Sequence, residues 1–469
     1  MSQSYASDLL NSQGWFILLA VIGNFYAAIA ITQVFHLFPE DQSSLFAIWT
    51  YIPRFSGPLL QPNLAGLFLN IIIASLFVQA IRSSFNKSWI LFTILPIGII
   101  LASNSRSAIL LLAIITITLF ILTSEKKLFL AYFSPAFLAA FVIALSWNQV
   151  LLQLSGGITL GLGSRLAEGG IADRLNLWVT TINLFFEHPW LGIGYGNLSS
   201  HFAEAQALTH ITYPSLPSMD ASTYWSHNII LQMFAEGGIL AGVFILLFLT
   251  LITIRGKNII SQTNCLDHAA FLPLLIVSLI IIHGMISISI YQGFFLSLLG
   301  LFLAGLFPSQ GSSIDLEYKI NIKLIFLFIP AIYCSFTWFQ FVSTQVQLRA
   351  IFDDPPSSPR FIAKVSDAID NPWLARSGIE YLLVNMELSH SPTYQWLQAY
   401  PYMYHAWLLT QEPLTLRRLI VHAHLLDNRA SETYLARLYL HAFPNNPWNK
   451  KLQSHIINGH LKHEPLFVY

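Results

Sequence analysis

Charge is scarce in this sequence. Asp, Glu, Lys and Arg together make up 10% of 469 residues, against roughly 25% in ordinary globular domains. The charge is also balanced, with 23 basic and 23 acidic residues, so there is no electrostatic footprint for nucleic acid. Cysteine is nearly absent. Cys265 stands between polar residues and Cys334 lies inside an apolar run, so no disulfide is expected and no cysteine-rich metal cluster can form. The sequence contains no Gly-Lys-Ser/Thr phosphate loop, no His-Glu-x-x-His motif and no Ser-His-Asp pattern. No basic segment precedes the first apolar stretch, and that stretch is long enough to span a bilayer, so no cleavable signal peptide is expected.

What the chain has instead is apolar surface. Hydrophobic residues make up 55% of it, and mean hydropathy is +0.59. A single soluble core stops growing near about 250–300 residues, so lipid is the solvent for the excess. Runs of about 20 mostly apolar residues fall at 15–35, 64–81, 88–104, 107–123, 128–146, 228–253, 269–289, 291–307 and 324–342. The expected fold is all-α, a polytopic transmembrane bundle of about nine spans, with a long periplasmic loop and a C-terminal helical soluble domain.

Lys and Arg set the orientation. Every second connection is basic, carrying Arg82 and Lys87, then Lys126 and Lys127, Arg255 and Lys257, and Lys319 and Lys323. The alternate connections hold only Arg54, Arg106, Arg165 and Arg174. The N-terminus is therefore expected in the cytoplasm, with the loop and the tail outside it. The expected divisions are 1–146 and 228–342 for two groups of transmembrane helices, 147–227 for the loop, and 343–469 for the tail.

The loop is too long for a plain connection. It holds an amphipathic stretch from Arg174 to Phe186, then Glu187-His188-Pro189, then Gly192-Ile193-Gly194-Tyr195-Gly196. That glycine string follows no strand, which excludes a dinucleotide site. In the tail, Tyr434 to Leu440 reads as an amphipathic helix.

Ionisable residues at span edges are the first candidates for chemistry, because charge in a bilayer is costly. Arg106 follows Ser103-Asn104-Ser105 at a span boundary, suited either to snorkelling or to phosphate binding. Arg165 and Arg174 in the loop could clamp a diphosphate bidentately or be solvated surface charges. His227, between Ser226 and Asn228 at the start of the sixth span, suits either a general base or a helix cap. Glu236-Gly237-Gly238 lies in that same span and reads as helix packing. His283 inside the seventh span is either a packing residue or a ligand contact.

These pieces in this order resemble the Wzy/WaaL superfamily of bacterial membrane glycosyltransferases, which includes O-antigen ligases, O-antigen polymerases and PglL-type protein O-oligosaccharyltransferases. The resemblance rests on Ser105-Arg106, on Arg174 with Trp178, on His188 to Gly196, and on Ser226-His227-Asn228 with Glu236-Gly237-Gly238 and Gly242. Gly57 to Ala65, containing Gln61-Pro62-Asn63, and the tail resemble the PglL branch. Two features depart from the family. Its members place several spans before the Gln-Pro-Asn segment, where this chain has one. The segment after His283 reads Gly284 to Tyr291 in place of a Glu-Tyr-Pro-Leu-like string.

The resemblance implies an inner-membrane enzyme with its active site facing the periplasm. It implies a glycan donor on undecaprenyl diphosphate and a Ser/Thr hydroxyl of a pilin-like protein as acceptor; a ligase acting on lipid A core, or a polymerase acting on another lipid-linked repeat, would share the donor site. His227 would be the catalytic base. Arg106, Arg174, Arg165, His283, Gln61 and Asn63 would bind substrate, with no metal and no cofactor. A transporter of lipid-linked sugars would share the spans, but it would not need the loop arginines and histidine.

Overall fold

In a computed structural model, the described residues are 13–35, 61–154, 172–216, 225–287, 293–307, 413–425 and 428–446, with a few single positions between and beyond. Their regular structure is helical throughout, as the apolar runs predict. The candidate span at 324–342 and most of the tail lie outside the described residues, as does Arg165. The chain divides into two compact units. One comprises Met1–Glu168 and Leu247–Ile332, the other Gly169–Leu246 and Tyr333–Tyr469.

The first unit contains α1 (Gln13–Val34), α2 (Pro62–Arg82), α3 (Lys87–Leu91), α4 (Ile94–Ala102), α5 (Arg106–Leu122) and α6 (Lys126–Leu154). Both α1 and α2 are long and apolar enough to cross a membrane, as is Lys126–Val150 within α6. The expected span at 88–104 is two pieces, α3 and α4. Thr93 at their junction is buried and its hydroxyl donates to the Ile90 carbonyl at 2.6 Å. That bond draws a backbone acceptor away from the helical ladder.

Helix α2 is the hub of this unit. It packs against α1, α3, α4 and α5. Pro62 at its first turn has the fixed φ of a helix start and no N–H to satisfy. Gly66 lies so close to α5 that an added Cβ would overlap the Ala108 side chain. Small residues let two helices approach in lipid, where apolar burial alone does not favour association. The approach brings Asn70 within reach, and its amide donates to the Gly66 carbonyl at 2.8 Å and to the Ala108 carbonyl at 2.9 Å. At the other end of α2, Arg82 Nε donates to the Leu266 carbonyl at 2.8 Å, and a terminal guanidinium nitrogen donates to the His268 carbonyl at 3.0 Å.

The second unit contains α7 (Ala172–Glu187), α8 (Leu198–Thr212) and the first part of α9 (Ile229–Ile260). Helix α9 is also long and apolar enough to cross a membrane. The shorter apolar helices α10 (Phe271–Gly284) and α11 (Gly293–Leu306) belong to the first unit, where α10 packs on α2. The tail supplies α12 (Pro413–Leu425) and α13 (Arg429–Ala442). The stretch Tyr434 to Leu440 lies in α13, with Leu435, Ala436, Leu438 and Tyr439 buried.

These tail helices share one core with α8. Ala203 and Ala207 of α8 pack with Leu416, Leu419, Ile420, Leu435 and Tyr439. Gln411 Oε1 accepts from the Ala203 N–H at 2.6 Å. Gln206 donates to the Ala442 carbonyl. Helix α8 and the described part of the tail thus pack together.

The packing of α2 on α5 makes a clear prediction. Gly66→Leu should lower thermal stability in detergent by about 1–3 kcal/mol, the usual cost of overpacking. Gly300→Leu on α11, where nothing lies within 4 Å of an added Cβ, should leave the melting temperature unchanged. Equal effects at the two sites would contradict this packing.

Candidate functional site

Helix α7 presents Arg174, half-buried, and Trp178 one turn later. After Glu187, Pro189 cannot continue the helical ladder, and the chain turns through Gly192, Gly194 and Gly196. Their φ values are +67°, +90° and +76°, a backbone region that side chains other than glycine rarely adopt.

This turn docks on a break in α9. Gly238 has φ 64° and ψ −161°, a conformation essentially confined to glycine. A break in an apolar helix leaves backbone groups without helical partners, at a cost of several kcal/mol each in lipid. The loop supplies those partners. The Ile193 N–H donates to the Ala235 carbonyl at 3.0 Å and the Gly194 N–H to the Glu236 carbonyl at 2.9 Å. The Ile239 N–H donates to the Pro189 carbonyl at 2.8 Å.

Both backbones need glycine at the crossing. A Cβ on Gly192 would overlap the backbone of Glu236, and one on Gly238 would overlap that of Trp190. Ile193 packs over Leu184, Leu198, Ala205 and Ala235. The glycine string is therefore a docking device that joins the loop to α9.

His227 stands just before α9, with φ 56°. Histidine is among the residues that tolerate this region, yet holding it there costs about 1–3 kcal/mol. Its neighbours enforce it. Asn228 Oδ1 accepts from the Ile230 N–H at 3.0 Å and the Leu231 N–H at 3.3 Å, capping the helix. The Ser226 hydroxyl donates to the Asn228 carbonyl at 2.8 Å and accepts from the Asn228 N–H at 3.2 Å.

The Ser226 peptide is gripped on both sides. Its N–H donates to Gln232 Oε1 at 2.6 Å, and its carbonyl accepts from Trp178 Nε1 at 3.1 Å. Gln232 Nε2 in turn donates to the buried Glu236 carboxylate at 2.7 Å. A chain of contacts thus runs from the break, through Glu236 and Gln232, to the residue before His227. Trp178 adds the tie to the helix of Arg174.

The imidazole of His227 is half-buried, and its Nδ1 is buried with no hydrogen-bond partner among the described residues. Burial, and then the positive charge of Arg174, push its pKa down to about 4. The ring is therefore neutral at pH 7. A neutral imidazole beside a guanidinium pairs a proton acceptor with an anion anchor.

The other expected residues fall in the first unit. Arg106 is exposed at the first turn of α5, which Ser105 caps by accepting from the Ala108 N–H at 3.3 Å. The Ser105 hydroxyl donates to Asn63 Oδ1 at 2.7 Å, so Asn63 sits beside the residue preceding Arg106. Gln61 occupies the position before α2 without a side-chain capping bond. His283 is fully buried in the last turn of α10. Among the described residues, no three His, Cys, Asp or Glu side chains gather as metal ligands.

Sequence reasoning missed the positioning roles of Trp178 and Gln232. Their spacing offered a signal: Arg174 and Trp178, like Gln232 and Glu236, lie four residues apart on helices, which places each pair on one face.

The crossing of the two glycines makes a prediction in stability. Gly192→Ala and Gly238→Ala should each destabilise the protein. The double variant should lose less than the two losses added, because both intrude on one crossing. Strictly additive losses in thermal unfolding would contradict the interlock.

Comparison with known families bears on this same segment. Residues 91–248 match the family described as O-Antigen ligase. Neither a curated protein nor a solved structure matches the chain. The matched segment contains Arg106, Arg174, the glycine loop, His227 and the break at Gly238. Gln61, Asn63, His283 and the tail lie outside it. Residues 91–248 of this helical chain are thus similar to the family described as O-Antigen ligase.

Proposed function

We propose that the protein transfers a glycan from undecaprenyl diphosphate to a Ser or Thr hydroxyl of a periplasmic protein, a type IV pilin being the acceptor class. The observation that carries this reading is the neutral His227 held beside Arg174 within the O-antigen ligase segment. The bias of Lys and Arg along the sequence puts this site on the periplasmic side.

In this reading the acceptor oxygen attacks the anomeric carbon while His227 takes its proton. The bond between that carbon and the diphosphate oxygen breaks, and its electron pair leaves with the diphosphate. Direct displacement inverts the anomeric centre. Arg174, with Arg106 and Arg165, neutralises the leaving group, a form of stabilisation that is often the largest catalytic contribution. Gln61 and Asn63 contact the substrates, whereas His283, fully buried in α10, is a packing residue. No metal is required, because the arginines supply the positive charge.

The pKa of His227 adds a feature to this chemistry. A base with a pKa near 4 is fully deprotonated at pH 7 but weak. A diphosphate anchored at Arg174 cancels the positive charge that contributes to the depression. Donor binding thus raises the basicity of His227 towards the operating pH, where general-base catalysis is most effective.

The tail and the Gln61-Pro62-Asn63 segment favour a protein acceptor over a lipid one. The description of the matched family favours a second reading, a ligase whose acceptor is the lipid A core. The donor site and the role of His227 are common to both.

His227→Ala should reduce glycan transfer by about 10²–10⁴-fold, the usual contribution of a positioned base, with normal accumulation in the membrane. Retained transfer would sink the assignment. Arg174→Lys should also impair transfer, because lysine offers a point charge in place of a bidentate fork.

The pH profile gives an independent check. With the folded pKa depressed, His227 is competent above about pH 4, so kcat/KM should hold through pH 6 and fall only as pH approaches that value. Arg174→Gln should move this acid limb upward. It should stop short of the ordinary histidine range, because burial is the larger cause of the shift. An unmoved limb would contradict the pairing.

A further inference from the structure

The loop docked on α9 exposes the wrong side chains for water. Trp190 and Leu191 are each 74% exposed, and Tyr195 is 75% exposed. Its backbone is turned inward at the same time. The Gly192 N–H donates to the His188 carbonyl at 3.0 Å, and the Ile193 and Gly194 N–H groups donate to α9. Pro189 has no N–H, and its carbonyl accepts from Ile239. Apolar side chains outward with these four backbone groups paired inward fit what lipid demands of an irregular segment. Water makes no such demand.

The register of α9 gives the depth. Arg255 and Lys257 mark one end of its apolar stretch. Counting back about 20 residues, the length that crosses the hydrocarbon, reaches the neighbourhood of Ala235. The break at Gly238 thus falls at the opposite hydrocarbon boundary. Beyond it, Leu240 and Phe244 are 68% and 67% exposed, on a helix long and apolar enough to cross a membrane. The loop continues that surface, with its aromatic side chains at the level where Trp and Tyr concentrate in membrane proteins.

We propose that the segment Pro189–Tyr195 is immersed in the bilayer, with Trp190, Leu191 and Tyr195 inserted among acyl chains at the boundary remote from Arg255. The loop is then part of the membrane-embedded surface, and the turn leading out of the helix of Arg174 is anchored in lipid.

Nitroxide labels read this depth directly. Leu191→Cys and Trp190→Cys are each made in a background lacking Cys265 and Cys334, labelled, and reconstituted into phospholipid nanodiscs. Collision rates with oxygen and with a water-soluble nickel chelate are then compared. Both labels should be relaxed by oxygen and shielded from nickel, as a label at Phe244 is. They should differ from a label at Asp173, an exposed polar position on α7. Nickel accessibility equal to that of Asp173 at both loop positions would overturn the proposal and would mean a face turned to water or to a soluble partner. Both loop side chains point outward, so labelling leaves the docked backbone in place, and a thermal melt of each variant checks this.

Discussion

Three backbone hydrogen bonds hold the second unit in its form: Pro189 with Ile239, Ile193 with Ala235, and Gly194 with Glu236. Each replaces a bond that a continuous helix would make within itself. An apolar helix that breaks near lipid must find such replacements, because no water is there to supply them. The requirement fixes where the loop lies, and the loop fixes the end of α7. The glycines at 192 and 238 follow from it, since neither backbone could approach the other past a Cβ.

The same constraint reaches the histidine. Glu236 is buried beside the break, and its carboxylate anchors Gln232, which in turn holds the Ser226 peptide. Trp178 holds the other side of that peptide from the helix of Arg174. His227 is thereby held in a left-handed conformation. A strained residue held by its surroundings is a recurrent property of functional sites. The strain is useful here because it fixes the imidazole where burial and the Arg174 charge keep it neutral. Position and protonation state thus share one cause.

Much of this was legible in the sequence, because apolar length and helical periodicity are local properties. The runs at 15–35 and 64–81 are helices α1 and α2, and the amphipathic stretch from Arg174 is α7. Most of the ordered motifs also fall in the segment that matches the O-Antigen ligase family. What could not be read was how separate motifs meet. In the sequence, the string from Gly192 to Gly196 and the pair Gly237-Gly238 stand as separate motifs, the second with the character of helix packing. Their joint purpose is a contact between residues far apart in sequence, and no local pattern encodes it. Gln232 is a single polar residue in an apolar helix, and only the fold shows its partner to be the backbone before His227. The interruption at Phe92–Thr93 was hidden for a different reason, since hydropathy continues smoothly across it.

An apolar chain poor in charge spends its few polar side chains where they matter, and in the second unit they converge on His227. Glycan transfer to a protein hydroxyl is the central functional claim, and the mass of the acceptor tests it most directly. The protein would be co-expressed with a lipid-linked glycan and a periplasmic pilin, and the purified pilin measured by mass spectrometry. The expected result is an increase of one glycan mass, mapped to a Ser or Thr and dependent on the protein. An unmodified pilin with the glycan found on lipopolysaccharide core alone would contradict it.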